Sequence, residues 1–151
     1  MIEQILSQAG NVLFKILLTI LLSSIIGIER FIRHKGAGLR THILIGVGSA
    51  LLVLTSFHLF DIYKEANIVD PTRIIAGIVT GVGFLCAGTI IRGGTEITGL
   101  TTAASMWVVS GIGMAVAAGQ YGAAVIVTFV VFLTLIGLRS IEKKIEKIFR
   151  P

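Results

Sequence analysis

The sequence predicts an all-α fold, a polytopic membrane bundle of about five transmembrane helices. Three observations carry that prediction. Hydrophobic residues make up 54% of the 151 residues and charged residues only 14%, with mean hydropathy +0.94, whereas a soluble domain carries about a quarter charged residues. The apolar residues fall in continuous runs, and a helix needs roughly 17 to 25 such residues to cross about 30 Å of hydrocarbon. The positive charges gather in short stretches flanking those runs, which is the pattern of membrane topology and argues against nucleic acid as a partner.

The runs can be taken in order. The first covers residues 12–28 and extends back toward Ile5; Lys15 lies near one end, where its stem can snorkel. The second covers 41–60, the third 73–91, the fourth 100–118 and the fifth 123–138. Only residues 119–122 separate the last two, so they form an antiparallel hairpin or a re-entrant pair. A β-barrel would need apolar/polar alternation over about ten residues, and these runs are continuous. No basic segment precedes the first run and no small-x-small cleavage site follows it before Glu29, so it reads as a retained helix. The single Cys86 lies in an apolar run and allows no disulfide within the chain.

Orientation follows from the short loops. With five crossings, ten bases share one side: Arg30, Arg33, Lys35, Arg40, Arg92, Arg139, Lys143, Lys144, Lys147 and Arg150. Lys15, Lys64 and Arg73 occupy the other. The positive-inside rule then places the N-terminus outside and the C-terminus in the cytoplasm. Leu138, Ile141, Ile145, Ile148 and Phe149 recur at helical spacing among charged residues, an amphipathic extension at the inner surface. The organisation is a transmembrane domain over residues 1–138 and a basic cytoplasmic tail over 139–151.

The 18 glycines and two prolines suit membrane helices, where small residues four apart let backbones approach. Gly77, Gly81, Gly83, Gly88, Gly111 and Ala115 are the expected helix-packing positions, with Ser23/Gly27 and Gly46/Ala50 repeating the theme. Packing within one subunit is the plain reading; a homodimer face is the sharper one.

Three stretches could carry chemistry. Residues 27–42 join the first two helices with Glu29, Arg30, Arg33, Lys35, Arg40, Thr41 and His42. A carboxylate at the membrane boundary needs a basic partner, which for Glu29 is expected to be Arg40 or Arg92. Residues 81–94 hold a GxG pair within a span, which excludes a dinucleotide site and favours tight packing. Residues 99–107 open the fourth helix, where Thr101 or Thr102 can cap free N–H groups and Trp107 can anchor at the interface. The topology brings Glu29, Arg30, Arg40, Thr41, Arg92, Thr101, Thr102 and two helix N-termini to one face, the chemistry of an anion or lipid-headgroup site. The plain alternative is a topology signal touching headgroups.

On the other side, Asp61, Glu65 and Asp70 form a loop without a compact ligand motif, and His58 with Asp61 does not make a metal site. No metal site, cofactor or catalytic constellation is expected. Cys86 is apolar in context, and no span carries the central acid that a proton-coupled carrier would use.

These blocks together resemble the MgtC/SapB family of bacterial inner-membrane proteins. The likeness rests on Gly27-Ile28-Glu29-Arg30, on Ala37-Gly38-Leu39-Arg40-Thr41-His42, on Gly81-Val82-Gly83-Phe84-Leu85 through Gly88 to Arg92, and on Gly99-Leu100-Thr101-Thr102-Ala103-Ala104 with Trp107. It covers about residues 20–122, in matching order and spacing. Thr98 stands where the family often has a base, which implies a weaker anion site. The resemblance implies a multi-span inner-membrane protein linked to growth at low magnesium and, in pathogens, to virulence. It implies a regulator of other membrane proteins, as the best-known member acts on ATP synthase, and not a magnesium transporter. That member has a cytoplasmic C-terminal domain; this chain reads as a short form with the membrane domain only.

The expected function is thus non-enzymatic regulation under magnesium limitation or stress, through membrane lipid, other inner-membrane proteins and homo-oligomeric contacts. A small transporter or channel for an ion or lipid-like substrate is the alternative, though no clear internal repeat supports it. A purely structural assembly partner is a third.

Overall fold

A computed structural model of the chain describes residues 2–66 and 70–149. It is a helical bundle: α1 (Ile2–Ile32), α2 (Leu39–Tyr63), a 3-10 turn (Lys64–Ala66), α3 (Pro71–Ala87), a small hairpin of β1 (Ile91–Gly93) and β2 (Glu96–Thr98), α4 (Leu100–Ala117) and α5 (Tyr121–Phe149). Among the described residues, four helices are long and apolar enough to cross a membrane, with spans at Leu6–Ile32, Leu39–Tyr63, Leu100–Ala117 and Tyr121–Leu138; α3 is apolar but shorter, at 17 residues. The expected third span is therefore present as a helix of about 26 Å, beside about 27 Å for α4 and 46 Å for α1.

Local chemistry sets the boundaries. Asp70 caps α3, its Oδ1 accepting from Thr72 N (2.8 Å) and Oγ1 (2.7 Å), and Pro71 follows where a missing N–H costs nothing. α1 ends in a Schellman motif: Lys35 N–H donates to Arg30 O (3.0 Å), His34 N–H donates to Phe31 O (3.0 Å), and His34 takes the left-handed conformation (φ 52°). α4 ends the same way, with Gly119 at φ 81° and Gln120 N–H donating to Ala115 O (2.8 Å). This three-residue turn, 118–120, makes α4 and α5 an antiparallel pair.

The expected third run stops short. α3 ends at Ala87, and Ile91 begins an antiparallel hairpin in register Ile91↔Thr98, Arg92↔Ile97 and Gly93↔Glu96. Gly94 supplies the positive φ (65°) that a two-residue hairpin turn requires. Gly99 then turns the chain into α4 at φ 90°, where an added Cβ would overlap the carbonyl oxygen of Thr89.

α4 is the shared core helix. On one side, Ala103 and Met106 pack with Ile45, Val53, Ile78 and Val82 of α2 and α3. On the other, Val109, Ile112 and Val116 pack with Leu22 and Ile26 of α1 and Ala124 of α5. The closest approach is Gly46 on Gly113, where a Cβ on Gly113 would overlap the Gly46 carbonyl. A Cβ on Gly27 would lie 2.9 Å from Leu39 Cα. Gly77, Gly81, Gly83 and Gly111 differ from expectation: a Cβ on each would meet nothing within 4 Å among the described residues, so they make no close backbone contact there. Gly88 sits at the end of α3 (3.3 Å to Leu85 O), and Ala115 packs at the edge of the α1–α4–α5 cluster. The face of α3 that carries Gly77 and Gly81 lines an open groove beside α2.

A polar seam accompanies the close approach. α2 places His42, Ser49 and Ser56 seven residues apart, all buried. His42 Nε2 lies 3.0 Å from Ser105 Oγ, Ser49 Oγ lies 2.8 Å from Ser110 Oγ, and Ser56 Oγ donates to Pro71 O (3.1 Å). In lipid such bonds join helices that have little hydrophobic force between them. At the far end Lys15 Nζ donates to Ala117 O (2.8 Å), meeting the C-terminal dipole of α4. Trp107 is exposed on α4. The tail side chains Arg139, Lys143, Lys144 and Lys147, and Arg150 itself, lie outside the described residues, and with them the expected basic face of the tail.

Candidate anion site at the α4 N-terminus

Where α1, the hairpin, α4 and α5 meet at one end of the bundle, a cavity of about 550 Å³ opens. Its polar wall holds Arg30, Lys35, Thr101 and Thr102, and its apolar wall holds Ile97, Leu100, Leu135 and Leu138. Thr134 and Glu142 of α5 complete it, with Gly99 at its base. The same lining puts the α1 end, the hairpin and the α5 extension at one end of the bundle.

Each part has a local cause. The Schellman motif folds the chain back after Ile32 and carries Lys35 to the rim. Gly99 is the N-cap of α4, and no side chain caps the helix. Thr101 and Thr102 thus do not act as expected; they and Leu100, the first-turn residues whose amides lack intrahelical partners, line the cavity. Helix N-termini in that state favour anions.

Charge reinforces this. Arg30 is buried, its side chain 4% exposed, and its Nε donates to Glu29 Oε2. Glu29, equally buried, also faces Arg33, whose Nε lies 3.5 Å from Oε1. That approach is an ion-pair contact but lacks hydrogen-bond geometry, so among the described residues Oε1 has no hydrogen-bond partner. The partners of Glu29 are therefore Arg30 and Arg33, not Arg40 or Arg92 as expected, because the last turn of α1 brings its own guanidinium groups to the carboxylate. One carboxylate faces two guanidinium groups, and Lys35 adds another cation at the rim. A buried positive charge calls for a counter-charge, and Glu142 across the cavity is the described acid on its wall.

The expected constellation is partly assembled. Arg30, Thr101 and Thr102 meet in the cavity, with Glu29 behind Arg30. Arg40 is exposed in the first turn of α2, Thr41 faces a different groove, and Arg92 is exposed on β1 with its Nε 3.4 Å from Gly94 O. Lys35, Thr134 and Glu142 join the site without having been singled out. Lys35 lies within the basic loop, but the α5 residues gave no local signal. Among the described residues, no group of three His, Cys, Asp or Glu side chains could hold a metal ion.

A model of the MgtC family matches residues 16–144. The chain is 45% identical over 116 residues to an Escherichia coli K12 protein named "Putative magnesium transporter YhiD", covering 76% of this chain and 54% of that protein. It is 37% identical over 136 residues to Protein MgtC of Salmonella typhimurium LT2, covering 90% of this chain and 56% of that protein. A Synechocystis protein, slr0014, is 36% identical over 130 residues, covering 86% of this chain and 53% of its own length. The chain spans about half the length of the curated relatives it matches. No solved structure matches it.

Proposed function

Because this chain belongs to the MgtC family, we propose that it is a non-enzymatic regulator of the bacterial inner membrane, serving growth when magnesium is scarce. It acts through contacts with other membrane proteins, with its C-terminal end in the cytoplasm. Its cation-rich end reads a phosphate group, carried by a lipid or free in solution.

The observation that carries this reading is the buried Arg30 beside the uncapped first turn of α4 in one cavity. Arg30 offers a planar fork suited to phosphate, and the α4 amides offer oriented N–H groups. The orientation is supported by Arg30, Arg33, Lys35, Arg40 and Arg92, the described bases that flank the helices at the end where the cavity lies. The interior supports a regulator over a carrier: the hydroxyls of Ser49 and Ser110 bond to each other across the α2–α4 contact, a packing use and not a solvated path. The competing reading is a magnesium transporter, which the name of the Escherichia coli relative favours.

The test is growth at limiting magnesium of a host lacking its own family member. The chain should restore growth, while Arg30→Lys and Lys35→Gln should restore little despite normal insertion. Full rescue by both variants would remove the cavity from the function. Failure of the unaltered chain would remove the magnesium reading. Magnesium entry into proteoliposomes holding the purified chain would replace the regulator with the transporter.

A further inference from the structure

A different groove lies between α2 and α3, with a volume of about 940 Å³. That lies near the top of the roughly 300–1,000 Å³ range of clefts that enclose a small ligand. Its lining is apolar nearly throughout. Gly48 of α2, Gly77 and Gly81 of α3 and Met106 of α4 line it, each glycine with open space where a Cβ would stand.

Its length and polarity are informative. Along α2 it runs from Thr41 to Leu52, twelve residues spanning about 17 Å of helix. One leaflet of hydrocarbon is about 15 Å deep, half of the usual core. Ile74 of α3 lines the far end, and beyond it Leu54 and Phe57 of α2 pack onto the core. Thr41 and Thr89 bring hydroxyls to the other end. Arg40 directly precedes Thr41, Arg92 follows Thr89 by three residues, and both are exposed. A groove one leaflet deep, apolar along its length and cationic at its mouth, matches an amphiphile with an anionic head. A second copy of the chain would instead be expected to bury a face running the full bilayer.

We propose that the α2–α3 groove holds an acyl chain of an anionic phospholipid whose phosphate is met by Arg40 and Arg92. This assigns a role to the two exposed arginines and to the α3 glycines that the α4 cavity leaves unused. It shares no residue with that cavity and stands apart from the regulatory reading.

The test is native mass spectrometry of the protein purified in mild detergent, with added phosphatidylglycerol or phosphatidylcholine. The unaltered chain should retain one phosphatidylglycerol and bind phosphatidylcholine more weakly. Gly81→Leu and, separately, Gly48→Leu project into open groove and should insert and fold normally, checked by thermal unfolding. Excluding even two methylenes of chain is worth about tenfold in affinity, so each should lose the retained lipid. Arg40→Gln with Arg92→Gln should abolish the preference between headgroups while one lipid still binds. Unchanged lipid retention in the folded leucine variants would overturn the proposal. So would a lipid-free dimer that the same variants convert to monomer, since a second copy would then fill the groove.

Discussion

Adding one methyl group to Gly113 tests the packing logic of the bundle. The Cβ of Gly113→Ala would overlap the carbonyl oxygen of Gly46 and lie 3.0 Å and 3.2 Å from its carbonyl carbon and Cα. These are backbone atoms of a helix, so no side chain can swing aside. Restoring ordinary contact requires α2 and α4 to part by on the order of 1 Å. That separation stretches the Ser49–Ser110 bond from 2.8 Å and the His42–Ser105 bond from 3.0 Å. Overpacking of this kind costs about 1–3 kcal/mol, and interhelical bonds in membranes average about 0.6 kcal/mol each. Alanine's better helix propensity offsets up to about 1 kcal/mol. The expected net loss is about 1–3 kcal/mol. Gly111→Ala is the internal control, two residues away on the same helix with nothing within 4 Å of its Cβ; it should be neutral or stabilising by up to about 1 kcal/mol. The assay is reversible unfolding in mixed detergent, followed by helical circular dichroism. If both variants unfold with the parent, or Gly111→Ala loses as much as Gly113→Ala, the close approach does not hold the bundle together.

Three further outcomes are expected. Gly99→Ala should disturb the turn between hairpin and α4, because a left-handed backbone costs an L-residue about 1–2 kcal/mol and the Cβ overlaps Thr89 O; amide exchange confined to the first turn of α4 reads it out, and unaltered protection would contradict it. Lys15→Met should weaken the bundle by about 0.3–1 kcal/mol, the worth of a cation at a helix C-terminus, with no such effect from Lys64→Met in the same unfolding assay. The Thr72 hydroxyl and then its N–H hold the Asp70 carboxyl below its ordinary range. A carboxyl depressed on folding stabilises fully above its unfolded value, near 4, and the contribution fades as pH falls through the folded one. The first-turn amide resonances of α3 should therefore move in acid in the parent and stay still in Asp70→Asn; parallel titrations would show that the cap does not govern that turn.

How much was legible from the chain depends on the range of the interaction. Hydropathy is summed over many neighbours, so the helices and their order could be read directly. The end of α3 could not, because Ile90 and Ile91 continue the apolar run while the backbone has already turned at Gly88. The Gly93-Gly94 pair between β-branched residues is the signal that would have marked the hairpin. Small-residue spacing shows where helices can approach, but not which face has a partner: Gly46 and Gly113 touch, whereas Gly77 and Gly81 carry the same signature and face open groove. Glu29 and Arg30 are neighbours in sequence, yet both are buried, which their adjacency does not reveal. Thr134 and Glu142 meet Lys35 only because the α4–α5 turn folds α5 back beside the end of α1. Arg40 and Arg92 share the cation-rich end with Arg30 but lie on other surfaces.

The unequal helix lengths carry a mechanical consequence. α3 and α4 are about 26 and 27 Å long, a few Å less than an average hydrocarbon core of about 30 Å, while α1 exceeds it by about half. A bilayer around this bundle must thin beside α3 and α4, and α1 must tilt or project beyond the Lys15–Ala117 contact. Thickness mismatch costs fractions of a kcal/mol per Å, so acyl-chain length becomes a control on the protein. Short-chain bilayers should suit its core, and long-chain ones should strain it.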